Sequence, residues 1–132
     1  ISGMRIKKLN EDQCIVTVPF KWINKNPFKS TFWAVLGMAG EMSTAALILQ
    51  YTYNQKPSFS TLPSKCEADF NKKAVGITSF ICNDGKMIRD KLKEAMETKK
   101  PVVIKASTQG IDERSNLICQ FNFTWSVKAR DF

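Results

Sequence analysis

The chain has 132 residues, with 20 Lys+Arg against 12 Asp+Glu, a formal net charge of +8 and no histidine. An apolar share of 43% and a charged share of 24% suit a single globular domain over 1–132 and exclude a disordered chain. Without imidazole, Ser-His-Asp and Cys-His nucleophile systems, histidine metal sites and histidine bases are excluded, so any enzymatic proton transfer falls to a carboxylate.

In chain order, Arg5–Leu9 and Cys14–Phe20 read as two strands around the polar turn Asn10-Glu11-Asp12-Gln13. A loop containing Asn24-Lys25-Asn26-Pro27-Phe28 follows, then an apolar helix from about Thr31 to Gln50. Pro57 and Pro63 bracket a loop. Lys65–Phe70 alternates with Cys66, Ala68 and Phe70 on one face, and Val75–Cys82 is a further β-rich run. Asn83-Asp84-Gly85 opens an amphipathic helix, Lys86–Thr98, with Ile88, Leu92 and Ala95 on its apolar side and Pro101 beyond its end. Val102–Thr108 and Leu117–Lys128 form a hairpin around Gly110–Ser115. The last strand should face inward at Leu117, Cys119, Phe121, Phe123, Trp125 and Val127. The pattern predicts an α+β domain with about six strands, a long buried helix and a short surface helix.

Lysine pairs stand apart at Lys7-Lys8, Lys72-Lys73 and Lys99-Lys100, and only four residues are Arg. Nucleic-acid readers gather basic residues on one face and favour Arg, so no nucleic-acid partner is expected; a phosphate-bearing small molecule needs fewer charges. Cys14, Cys66, Cys82 and Cys119 lack C-x-x-C spacing, which argues against a zinc or redox motif. With no segment resembling a signal peptide, reduced thiols and a cytoplasmic location are expected.

From Ser30 to Gln55 the only charged residue is Glu41. Phe32, Val35, Leu36, Ala39 and Ala46 share one helical face, and Trp33, Gly37, Gly40, Thr44 and Ile48 the other. A helix apolar all round is either covered on every side or spans a membrane, and a mid-span carboxylate opposes the second reading at a cost of about 2.5–3.5 kcal/mol. A curled sheet offers the cover, with Gly37 and Gly40 permitting close approach. One sheet face cannot surround a helix, so at least a homodimer, possibly a tetramer, is expected. Glu41 must then be hydrogen-bonded, in contact with water or protonated. It reads either as a satisfied interface carboxylate or as a general base for water.

The stretch Trp22-Ile23-Asn24-Lys25-Asn26-Pro27-Phe28, with Ser30-Thr31 and the Glu41 helix behind it, resembles the hotdog-fold acyl-CoA thioesterase superfamily. The likeness is to a phenylacetate-degradation-type, thioesterase-like branch with a W-x-N-x-N-P-F loop. The resemblance implies a curved antiparallel sheet wrapped around a long central helix. It also implies Asn26 as the amide that orients water or substrate, and Glu41 as the acid that activates water or attacks the thioester. Backbone N–H groups at Trp33 and Ala34 would receive the thioester oxygen. Asn24, Phe28, Thr44 and Lys29 would contact substrate. Phe32-Trp33-Ala34 stands where active members carry His-Gly-Gly, a departure at the oxyanion turn, while the spacing to the acid is kept.

Two function classes follow. One is a thioester hydrolase acting on acyl-CoA or a related acyl carrier, with coenzyme A as part of the substrate, no separate cofactor and no metal. Lys25, Lys29, Lys72 and Lys73 are its positional candidates for phosphate contact. The other is a non-catalytic hotdog module that binds acyl or CoA-type ligands or serves assembly. A dehydratase on this fold would lack its usual histidine.

Overall fold

The structure is a computed structural model that describes residues 3–19, 33–53 and 58–130. Six strands make one antiparallel sheet: β1 (Arg5–Leu9), β2 (Cys14–Val18), β3 (Ser58–Phe70), β4 (Thr78–Cys82), β5 (Val102–Ile111) and β6 (Leu117–Arg130), in the spatial order β1-β2-β4-β5-β6-β3. Helix α1 (Trp33–Thr52) lies on the inner face of the sheet, and α2 (Gly85–Thr98) packs on β5 and β6.

Period-two patterning builds this sheet. On β5, Val102, Ile104, Ala106 and Thr108 are buried while the residues between them are exposed. On β6 the buried set runs Cys119, Phe121, Phe123, Trp125, Val127 and Ala129. Leu117 departs from the expected inward pattern: it is exposed, and Ile118 is buried instead. The cause is a register shift at Gly110/Ile111, which offsets the first residues of β6.

The β1–β2 turn is local chemistry. The Asn10 side-chain oxygen accepts the N–H groups of Asp12 and Gln13 at 2.9 and 2.8 Å, an arrangement Asn favours in turns. Three residues of the helices hold this turn. Gln50 donates to the Asn10 carbonyl at 2.9 Å, Tyr51 donates to the Glu11 carbonyl at 3.1 Å, and Arg89 pairs with Asp12 at 3.1 Å. Gly85 sits against the same turn so closely that a Cβ there would stand 2.0 Å from the Glu11 carbonyl oxygen. No other side chain fits.

Helix α2 buries Ile88, Leu92 and Ala95, as its spacing predicts, and ends at Lys99 in the left-handed conformation, whose N–H caps Ala95 at 3.0 Å. Helix α1 has no such local signals and is held by burial. Leu36, Ala39, Ser43, Thr44, Leu47 and Ile48 face the sheet. Gly40 makes the close approach, where a Cβ would meet the Phe121 ring at 3.3 Å.

On the far side of α1 and just beyond its end, large apolar side chains are exposed. Met38 and Leu49 are each 48% exposed and Tyr53 is 74% exposed. Among the described residues, cover for α1 comes from the sheet and α2 on one side.

Strand β3 is longer than the sequence pattern suggests, beginning at Ser58 and running through Pro63. A proline is tolerated here because, among the described residues, β3 is an edge strand paired only with β6, and a register shift between Pro63 and Lys65 absorbs the missing donor.

Candidate active site

Glu41 lies two turns after Ala34 on α1. At 1.5 Å rise and 3.6 residues per turn, seven residues return to nearly the same helical face, about 10 Å further along. Both residues line one cleft of about 420 Å³, with Gly37 and Met38 between them. The opposite wall is the β3 segment Pro63, Ser64, Lys65 and Cys66, and the floor is Phe121 and Phe123.

Register explains the floor and wall. Cys66 lies opposite Phe123 and Ala68 opposite Phe121, so the inner face of β3 continues the aromatic row of β6. The Phe121 ring stacks on Phe123 at 5.7 Å and takes the edges of Phe70 and Phe80 at 5.7 and 5.9 Å. The cleft therefore has an apolar base with one carboxylate above it.

Glu41 is exposed, and among the described residues its carboxylate has no ion-pair or hydrogen-bond partner. Exposure relieves the burial cost that an apolar helix would otherwise impose on this carboxylate. Its field reaches the opposite wall. Partial burial, and then the charges of Glu41 and Glu67, push the Cys66 thiol up.

Thr44 is fully buried and does not line the cleft. Its hydroxyl donates to the Glu41 carbonyl at 3.0 Å and accepts the Trp125 indole N–H at 3.2 Å. This ties the helix backbone at Glu41 to β6. Trp33 and Ala34 lie in the first described turn of α1. Asn24, Asn26, Phe28, Lys25 and Lys29 lie outside the described residues, as do Trp22 and Phe32.

Pro63, Ser64, Lys65 and Cys66 escaped the sequence reading as a site wall, although the alternation of Cys66, Ala68 and Phe70 already marked an apolar face there. Among the described residues no group of three His, Cys, Asp or Glu side chains could hold a metal ion, and no helix is long and apolar enough to cross a membrane.

An antiparallel six-stranded sheet packed on a long helix is a hotdog fold. No family model and no curated protein matches the sequence. Among solved structures, a protein of unknown function from Pseudomonas aeruginosa described as a probable thioesterase superposes with a TM-score of 0.84 at 21% identity, over 98% of this chain and 85% of that one. A protein of unknown function from Chlorobaculum tepidum gives 0.80 at 16% identity, over 98% and 84%. A thioesterase from Haemophilus influenzae gives 0.69 at 15% identity, over 97% and 80%.

Proposed function

We propose that the protein hydrolyses acyl thioesters of the acyl-CoA type, with Glu41 as the base. The observation that carries this reading is the placement of Glu41: the one carboxylate of α1, exposed, at the edge of an apolar cleft on a hotdog fold. In the proposed reaction Glu41 takes a proton from water as the hydroxide attacks the thioester carbon. The carbonyl oxygen becomes an oxyanion held by N–H groups at Trp33 and Ala34, where the helix N-terminus favours negative charge. Collapse of the tetrahedral adduct breaks the C–S bond, and the proton on Glu41 passes to the departing thiolate. Asn26 orients the water, the apolar floor takes the acyl group, and Lys29 and Asn24 meet the carrier.

The exposed apolar side chains along α1 and the edge of β3, unpaired among the described residues, support self-association as a homodimer, which would cover Met38, Leu49 and Tyr53. The four free cysteines fit a reducing compartment such as the cytoplasm.

The test is turnover of a panel of acyl-CoAs by wild type and Glu41→Gln. The expected loss is about 10²–10⁴-fold, the range that a general base supplies. Equal rates would remove Glu41 from the mechanism.

Phe32-Trp33-Ala34 in place of His-Gly-Gly favours one alternative, a module that holds an acyl ligand without turning it over. That reading predicts an acyl thioester retained on the purified protein by mass spectrometry, together with no hydrolysis by wild type.

A further inference from the structure

Helix α1 turns to the sheet a side that apolar burial alone does not select. From Ala34 to Leu49 its polar side chains are Glu41, Ser43 and Thr44. Ser43 and Thr44 are fully buried, while Met38, Met42 and Leu49 are exposed. Those three fall at helical spacing on one side, so a turned helix would bury an apolar row in place of two hydroxyls. Cover of the outer side by a second copy, as in the proposed homodimer, would bury apolar side chains in either setting.

Both inward hydroxyls are paired twice. Ser43 Oγ donates to the Gly40 carbonyl at 2.7 Å and shares a hydrogen bond with the Thr108 hydroxyl at 2.7 Å. Thr44 Oγ1 donates to the Glu41 carbonyl at 3.0 Å and accepts the Trp125 indole N–H at 3.2 Å. Each hydroxyl thus joins a helix carbonyl three residues back to one side chain of the sheet, Thr108 on β5 or Trp125 on β6. Thr108 lies opposite Phe121, four residues from Trp125, so the two pins reach α1 from separate points. A single pin leaves a helix free to pivot about it, and two on different strands do not. A turned α1 would leave the Thr108 hydroxyl and the Trp125 N–H buried without a partner, a penalty specific to the wrong setting.

Glu41 is the residue that these pins place. It precedes them by two and three positions, its carbonyl is one of the two they hold, and its side chain lines the cleft opposite Cys66.

We infer that the hydroxyl pins, Ser43 with Thr108 and Thr44 with Trp125, select the rotation of α1 and thereby hold Glu41 at the cleft. Thr44 is a positioning residue, not a substrate contact, and Ser43, Thr108 and Trp125 share that role. Their part in hydrolysis rests on the thioesterase reading; the setting of the helix does not.

Shape is the rival cause, because Ala39, Gly40 and Ser43 make the inward side small. Ser43→Ala with Thr44→Val keeps the shape and removes both hydroxyls. Adding Thr108→Val and Trp125→Phe removes their partners too, so a folded protein with no stranded donor is available if the first variant fails to fold. The first readout is the rate at which iodoacetamide labels Cys66, with and without Glu41→Gln. A unit charge felt through water across about 4–8 Å shifts an equilibrium by about two- to fivefold, so Glu41→Gln should speed wild-type labelling on that scale. In the unpinned protein the same substitution should leave the rate unchanged. An undiminished ratio there, or a wild type with no ratio to lose, overturns the inference.

The second readout is turnover of an acyl-CoA. Unpinning should lower kcat about 10²-fold at constant KM, the cost of misplacing a reacting group by about 1 Å. Thr44→Ser, which keeps the hydroxyl, should retain wild-type kcat. In a Glu41→Gln background unpinning should cost nothing further, because the base that the pins place is already gone. An equal loss in that background would make the pins merely structural and overturn their positioning role. Should wild type hydrolyse no acyl-CoA, the thioesterase reading fails, while the labelling ratio still decides whether the pins set the helix.

Discussion

The inner face of the sheet has two halves that are finished differently. On one, α2 seals β5 and β6 with Ile88, Leu92 and Ala95, and Gly85, Arg89, Gln50 and Tyr51 clamp the β1–β2 turn beneath the helices. On the other, cover among the described residues stops at α1, and Met38, Glu41, Cys66 and Phe70 are exposed between that helix and β3. The sealed half is built from short-range devices that can be read locally: an Asn turn, a left-handed cap, an apolar stripe with a spacing of three and four. The open half depends on long-range register, and it holds the only carboxylate of α1. Chemistry is placed where the cover ends.

The largest effect should come from the residue that joins the two halves. Phe121 is 2% exposed, touches Phe70, Phe80 and Phe123, and underlies Gly40. Phe121→Ala should cost about 3–5 kcal/mol in denaturant unfolding, the usual loss for a buried aromatic. A cost under about 1 kcal/mol, the scale of a surface change, would mean that the open half is not continuous with the core.

A pair of glycine substitutions tests the contrast next. Gly85→Ala on the sealed side drives a Cβ into backbone, and should reach or pass the upper end of the about 1–3 kcal/mol typical of overpacking. Gly37→Ala on the open side meets only the Phe121 ring at 3.7 Å, an ordinary contact. Helix propensity then favours alanine by up to about 1 kcal/mol. Similar melting temperatures for the two variants would erase the distinction between the halves.

Much of the sealed half was legible from residue order alone. β-rich and alternating runs fell within all six strands, although residues 58–63 of β3 read as a loop, and Ile88, Leu92 and Ala95 announced the buried side of α2. The single charge between Ser30 and Gln55 singled out Glu41. The cleft wall was not legible, because Pro63 reads as a loop residue unless its strand is known to lie at an edge and to carry a bulge. Nor was the row that sets Lys65 and Lys105, forty residues apart, on either side of Thr124, since only their separate pairings with β6 align them. Leu117 was misplaced for the same reason: a one-residue shift at Gly110/Ile111 reverses a side chain without any local mark.

A smaller effect per residue is expected from alkali. Burial pushes the thiols of Cys82 and Cys119 up to about 12 and that of Cys14 to about 11, from an ordinary 9.0. A raised folded-state pKa gives stability that is complete below the unfolded value and is lost as pH climbs toward the folded one. The window therefore runs from pH 9 upward to 11–12. Each thiol should cost about 1.4 kcal/mol per pH unit within it. Unfolding free energies at pH 8 and 10 measure the slope, and Cys119→Ala should reduce it by about a third. A flat profile between those pH values would show that the sealed half admits hydroxide.

The least perturbing measurement separates the halves most directly. Cys66 is the one exposed cysteine, on the open wall facing Glu41, whereas Cys14, Cys82 and Cys119 are buried. A small thiol reagent at neutral pH should therefore modify one residue in the native protein and four only after unfolding, with the melting temperature of the singly labelled protein unchanged. Reactivity depends on the thiolate, so the nearby charges of Glu41 and Glu67 should slow the reaction relative to a free cysteine. Glu41→Gln removes the larger of those two influences and should speed it. A second reactive thiol in the native state would open the sealed half. Labelling of Cys66 that slows as the protein self-associates would put the second copy on this wall, and the open half would then be a feature of the single chain, completed by its partner.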